Sequence, residues 1–182
     1  MPLSGDNEQS PVGLVQIFTG DGKGKTSAAL GTVVRALGQE LRVCIVVFMK
    51  GDYPYSEWKF LQDIPGVTVA RFGFTSFTDP NNVKPEEKEQ AQKALDYARE
   101  AMLSGEYDMV VLDEVNLASG WGLVEVNDVI SLVQERPPAV ELILTGRSAD
   151  DRLVELADMV TECRKVKHPY DKGILARRGI DY

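Results

Sequence analysis

Thr19 to Ser27, reading TGDGKGKTS, is the stretch on which the fold turns. The apolar run Leu14 to Phe18 precedes it, and after it Ala29, Leu30, Val33, Val34 and Leu37 recur at helical spacing until Gly38 stops the period. Strand, glycine-rich turn and helix in that order read as a phosphate-binding loop. Small residues let the backbone curl so that successive N–H groups point at an anion, and the following helix adds the positive end of its dipole. Lys25 is then placed to reach the outer phosphates, and the Thr26 hydroxyl to complete the shell of a Mg²⁺ ion that bridges them. Against the usual G-x-x-x-x-G-K-[ST] pattern the chain keeps Gly24, Lys25 and Thr26 but has Thr19 in place of the first glycine. Gly20 and Gly22 supply other flexible points, which shifts the bend along the loop. A plain glycine-rich turn between a strand and a helix is the competing interpretation of the stretch.

Working outward, Arg42 to Phe48 is a nearly continuous apolar run, rich in β-branched residues, that suits a strand buried on both faces. The spacing predicts a short helix over Ser56 to Gln62, a third strand over Val67 to Phe72, and a long helix over Lys84 to Ser104 that opens on Pro85 and three glutamates. Between them Gly73 to Asn82 is rich in turn formers and aromatics, too apolar for an idle loop. Asp108 to Asp113 reads as a fourth strand, Glu125 to Glu135 as a helix, Val140 to Leu144 as a fifth strand, Ala149 to Ala157 as a short helix and Met159 to Thr161 as a sixth strand. Alternating strands and helices predict an α/β fold: a phosphate-loop NTPase-like, mainly parallel sheet of about six strands with helices on both faces. Met1 to Val12 show no apolar period and are expected to form a flexible leader to a single domain over residues 13–182.

Ligand chemistry on such a sheet belongs at the C-terminal edge of the strands. Asp113 and Glu114 end the fourth strand there, where one carboxylate can hold Mg²⁺ or its water and the other can assist or orient an attacking group. By themselves they could equally cap a strand. Arg147 ends the fifth strand, within reach of a triphosphate or simply on the surface. The candidate nucleotide site is therefore Thr19, Gly20, Asp21, Gly22, Lys23, Gly24, Lys25, Thr26 and Ser27 with Arg147, and the candidate metal ligands are Thr26, Asp113 and Glu114. His168, the only histidine, lies between Lys167 and Pro169 and is expected to be structural or exposed.

Composition narrows the class further. With 182 residues the chain has room for one full core. Acidic residues outnumber basic ones 28 to 20, a net charge of −8, so the basic footprint of a nucleic-acid binder is missing. Cys44 and Cys163 have neither the number nor the spacing of a disulfide framework or zinc site. No run is long enough to span a membrane and the first residues lack a signal-peptide pattern, so a cytoplasmic protein is expected.

Taken together, TGDGKGKTSAALG at Thr19 to Gly31, VVFMKG at Val46 to Gly51, GFT at Gly73 to Thr75, VVLDE at Val110 to Glu114, LTGR at Leu144 to Arg147, LADMVTE, KH and the terminal GIDY resemble the ATP-dependent corrinoid adenosyltransferases of the cobalamin pathway. The resemblance runs from about Leu14 to Tyr182. It implies transfer of the 5′-deoxyadenosyl group of ATP to cobalt(I) of a reduced corrinoid, with triphosphate as the other product, in new synthesis or salvage. It also implies Mg²⁺ or a similar ion such as Mn²⁺, a separate protein that reduces the cobalt, and a homodimer. Gly22, Gly24, Lys25, Thr26 and Ser27 match the residues that cradle the triphosphate, Thr26 and Glu114 those that hold the metal, with Asp113 in support. Phe74 matches an aromatic position used to displace the lower ligand of cobalt, which makes Lys25, Phe74 and Glu114 the residues expected to carry the reaction. Ser76 stands where many members have Trp, and Phe77 follows it.

Two other functions share parts of this pattern. A small ATPase or kinase that moves the γ-phosphoryl group accounts for the loop and the two carboxylates but not for the aromatic loop. A nucleotide-dependent corrinoid-binding protein accounts for both without turnover.

Overall fold

A computed structural model of the chain describes residues 12–51 and 54–181. The expected leader, apart from Val12, lies outside the described residues. The chain runs β1 (Val15–Thr19), α1 (Lys25–Leu37), β2 (Val43–Val47), α2 (Ser56–Gln62), β3 (Val67–Arg71), α3 (Pro85–Leu103), β4 (Met109–Asp113), α4 (Val115–Gly120), α5 (Val126–Glu135), β5 (Glu141–Thr145), α6 (Asp151–Leu156) and β6 (Met159–Glu162), followed by a 3₁₀ turn at Pro169–Lys172. The six strands form one sheet in the order β3-β2-β4-β5-β1-β6, and every pairing is parallel.

Alternation along the strands divides the core into two layers. Ile45, Val47, Met109, Val111 and Ile143 face α1 and α2, where Val33 and Trp58 are fully buried. Cys44, Val46, Val110, Leu112, Leu142 and Leu144 point the other way, onto α3, α4 and α5. Because both faces are covered, β2 (VCIVV) and β4 (MVVLD) are buried at every residue. A strand with polar residues at alternate positions would leave those groups without water or partners on one face, so the continuous apolar runs are what this layering requires. Trp58 and Leu61 of α2 are both buried against this face of the sheet.

Register places the chemistry. Val47 pairs with Asp113, Phe18 with Thr145 and Thr19 with Glu162, so β1, β2, β4 and β5 all end at one edge. α1 and α2 match the expected spans residue for residue, and the other expected elements shift by one or two residues at one or both ends. One helix was missed: α4 follows directly from β4 through Glu114, whose φ of 65° turns the chain in the left-handed region. Such a residue is uncommon and costs roughly 1–3 kcal/mol when it is not glycine. No local pattern announces it, because the six-residue VNLASG is too short for a helical period.

Candidate active site

The phosphate loop is built against the segment that follows β6. The Gly22 N–H donates to the Cys163 carbonyl at 2.6 Å. A Cβ on Gly20 would sit 2.6 Å from that carbonyl oxygen, and one on Gly22 would sit 2.7 Å from the Arg164 carbonyl. These two glycines are thus demanded by close backbone approach as well as by the curl of the loop. Gly24 enters α1 with φ 126°, a conformation open to glycine and few others. Thr19, at the position of the missing first glycine, is used elsewhere: its hydroxyl accepts from the Ala149 N–H at 3.2 Å.

The Lys25 ammonium lies inside the loop and donates to the carbonyls of Gly20 (2.7 Å) and Gly22 (2.8 Å). Burial holds it below the ordinary lysine range, with the charge of Glu114 acting against this and that of Arg147 reinforcing it. A bound triphosphate would replace those two carbonyls with charged oxygens, a stronger set of acceptors for the same ammonium.

Behind the loop, Asp113 gathers three elements on one carboxylate. Its Oδ1 accepts from the hydroxyls of Thr26 (2.8 Å) and Thr145 (2.8 Å), and its Oδ2 from Lys50 Nζ (2.8 Å). Thr145 in turn accepts from the Glu114 N–H at 3.0 Å. The fully buried Asp113 is satisfied by these donors, which is the condition for keeping a charge there. Glu114 differs. Its Oε1 lies 3.4 Å from Lys50 Nζ, while its buried Oε2 has no hydrogen-bond partner among the described residues. Burial above all raises the Glu114 carboxyl above the usual range; the Lys50 charge opposes this and the Asp113 charge adds to it. For Lys50, burial pulls downward, but the two carboxylates outweigh it and keep the ammonium above the ordinary lysine range.

A hard divalent cation fits this arrangement. Thr26, Asp113 and Glu114 offer oxygen donors only, and one carboxylate oxygen is buried and unpaired. Among the described residues no three His, Cys, Asp or Glu side chains are grouped so as to hold a metal ion, so a cation here would draw its remaining ligands from phosphate and water.

A cavity of about 830 Å³ opens over the loop, with Gly22 to Ser27, Lys50, Glu114 and Arg147 in its wall. Thr19, Gly20 and Asp21 stand outside that wall, so of the expected nucleotide contacts the structure gathers Gly22, Lys23, Gly24, Lys25, Thr26, Ser27 and Arg147. Arg147 is exposed at the rim, after Gly146. His168 also borders the cavity, and its Nδ1 accepts from the Tyr170 N–H at 3.2 Å, a structural contact. The end of the chain closes one side: Lys23 donates to the Ile180 carbonyl at 2.9 Å and pairs with Asp181.

A second cavity, of about 230 Å³, adjoins the first. Phe74 and Phe77 line it, both exposed, together with Met49 and Thr78. Lys50, Tyr55, Glu114, Leu117 and Trp121 border both spaces. The aromatic loop reaches this place because β2 and β3 end side by side: a Cβ on Gly51 would stand 2.4 Å from the Gly73 carbonyl oxygen, and one on Gly73 would stand 2.8 Å from Met49 Cα. Lys50, Tyr55 and Trp121 carry no site role in the sequence reading. Lys50 had a signal all the same, since it follows an apolar strand by three residues just as Arg147 follows β5 by two; Trp121 had none.

The chain that builds this phosphate loop beside an aromatic recess matches a protein-family model over nearly its whole length. The model of ATP:corrinoid adenosyltransferases, BtuR/CobO/CobP, fits residues 11–182. The chain belongs to this family. It is 35% identical over 174 residues to the corrinoid adenosyltransferase of Escherichia coli K12, covering 96% of this chain and 88% of that protein. The corrinoid adenosyltransferase CobA of Salmonella typhimurium is equally similar, at 35% identity with the same coverage. The Pseudomonas aeruginosa corrinoid adenosyltransferase is 34% identical over 170 residues, 93% of this chain and 84% of that one. Among solved structures, EssC (ATPases 2 and 3) from Geobacillus thermodenitrificans superposes with a TM-score of 0.53 at 13% identity, over 93% of this chain and 35% of that longer one. That likeness concerns the fold alone. As an adenosyltransferase-family chain, this protein is an α/β enzyme whose sheet is wholly parallel, and among the described residues no helix is long and apolar enough to cross a membrane.

Proposed function

We propose that the chain transfers the 5′-deoxyadenosyl group of ATP to cobalt(I) of a reduced corrinoid. The observation that carries this reading is the shared wall: Lys50, Tyr55, Glu114, Leu117 and Trp121 border both the nucleotide cavity and the aromatic recess. A nucleotide in the first space therefore has one end beside a recess where a second substrate can lie.

The chemistry needs no protein nucleophile. Cobalt(I) donates an electron pair to C5′ and the cobalt–carbon bond forms. The bond from C5′ to the α-phosphate oxygen breaks, triphosphate leaves with that electron pair, and cobalt becomes formally cobalt(III). What the protein supplies is position and charge. Lys25 and the N–H groups from Lys23 to Ser27 hold the triphosphate, while the Gly22 N–H is kept by the Cys163 carbonyl, and Arg147 meets the triphosphate from the rim. Thr26 and Glu114 hold Mg²⁺ or Mn²⁺, with Asp113 fixing both Thr26 and Lys50 from behind. The cation, when bound, supplies positive charge to the phosphate oxygens and so eases departure of the leaving group. Phe74, with Phe77 beside it, presents apolar surface to the corrinoid and displaces the lower ligand of cobalt. The same reading includes a cytoplasmic homodimer served by a separate cobalt reductase, acting in cobalamin synthesis or salvage.

Product analysis tests it. With ATP, Mg²⁺ and chemically reduced cobalamin in the absence of oxygen, the expected products are adenosylcobalamin and triphosphate. ADP with phosphate and an unchanged corrinoid would instead assign γ-phosphoryl transfer, and binding without turnover would make the chain a carrier.

A further inference from the structure

Lys50 sits on the same two carboxylates that a divalent cation would use. Its ammonium is 2.8 Å from Asp113 Oδ2 and 3.4 Å from Glu114 Oε1. The other side of the ammonium faces aromatic rings, with the Tyr55 centroid 5.3 Å away and that of Trp58 6.0 Å away, so the cation is seated from both sides. The backbone is fixed as well. Met49 turns in the left-handed region (φ 62°), the Lys50 carbonyl accepts from Arg71 at 3.2 Å, and the Gly51 N–H donates to the Phe72 carbonyl at 3.1 Å. Such a seat is built, not the chance pose of a surface lysine.

We infer that Lys50 is a positioning residue, a resident counter-ion that keeps bare divalent cations off Asp113 and Glu114 and lets the metal enter only together with the nucleotide. Charge makes the case. Lys50 pairs with both carboxylates, and Lys25 and Arg147 add two more positive charges to the same cavity wall, so a cation arriving alone would bring its two positive charges into a half-buried site that already holds them. A triphosphate brings more negative charge than the cation carries, and oxygen ligands besides. The protein's own donors are few, as the absence of a three-residue ligand cluster among the described residues shows. Lys50 can then release Glu114 to the cation while keeping its shorter contact with Asp113.

This inference rests on the metal–nucleotide reading above, and the test separates the two. Mn²⁺ binding is measured by electron paramagnetic resonance on the whole chain, with and without ATP, for the wild type, Lys50→Met and Lys50→Arg. In the wild type, ATP should tighten Mn²⁺ binding about a hundredfold or more. Without nucleotide, Lys50→Met should bind Mn²⁺ at least about tenfold more tightly than wild type, because a charge-assisted competitor has gone, while Lys50→Arg should behave as wild type. A thermal shift on adding Mn²⁺ alone should appear in Lys50→Met only. If wild type takes Mn²⁺ with ATP but Lys50→Met gains nothing without it, the counter-ion role is overturned and the function stands. Tight Mn²⁺ binding by nucleotide-free wild type overturns the role even if the Met variant does not fold. If Mn²⁺ fails to bind with or without ATP, the metal reading itself falls and takes this inference with it.

Discussion

Lys25 and Glu114 show how one residue can be legible in sequence and still owe its properties to the fold. The GKT triplet identifies Lys25, but only the loop's curl brings its ammonium within 2.8 Å of two carbonyls, a poor substitute for phosphate oxygens. Replacing it with alanine should weaken ATP binding by roughly 10- to 100-fold, since each charge-assisted contact contributes about 1.5–3 kcal/mol. Isothermal titration measures this, and unchanged affinity would remove Lys25 from the site. Glu114 is identified by its place at a strand end, yet its raised carboxyl comes from burial in three dimensions. A carboxyl that binds its proton more tightly when folded adds most to stability where it is protonated in both states, and that contribution is lost as pH rises from the ordinary value of about 4.3 through the folded one. Metal-free wild type should therefore lose stability relative to Glu114→Gln over that rise, as read by urea unfolding at a series of pH values. Parallel curves would show that the carboxyl is not held in the way described.

At the scale of elements, the site is made by strand ends and the turns that leave them. β4 and β5 are joined through Asp113 and Thr145, and α1 is tied to β4 through Thr26, on the same Asp113 oxygen. The loop after β3 is brought to the site by the close approach of Gly73 to Met49 and Gly51 at the end of β2. Phe74→Ala should accordingly spare ATP affinity, because Phe74 borders the aromatic recess and not the nucleotide cavity. It should slow adenosyl transfer by about tenfold or more, the scale on which misplacement of one reactant is felt. Titration with ATP and a single-turnover assay separate the two effects; weakened ATP binding, or adenosyl transfer at the wild-type rate, would contradict the division of the site. Element types were readable because β2 and β4 are continuous apolar runs and α1 carries a helical period. α4 escaped because a six-residue helix has too few turns to show one, and its start depends on a strained Glu114 that nothing in the local pattern requires.

For the whole molecule, ligand binding should stabilise one cooperative unit, since the strands that end at the site also form the middle of the sheet. At ATP and Mg²⁺ concentrations about 100 times the dissociation constant, unfolding should cost about 2.7 kcal/mol more, in a single transition. Calorimetry with and without ligand checks this, and a second transition that ignores the ligand would mean that the chain folds in separable parts. The strand–loop–helix start, the parallel α/β class and the carboxylates at a strand end are legible in the residues, because those depend on local pattern, glycine placement and residue chemistry. The match of ordered motifs along the chain likewise needs no coordinates. Tertiary structure alone decided that β5 lies between β1 and β4, that Gly20 and Gly22 yield space to the segment after β6, and that Lys50 rests on Asp113 and Glu114. These are contacts between residues far apart in the chain. Their energies come from desolvated charge and close backbone packing, which exist only once the sheet has brought the strand ends together.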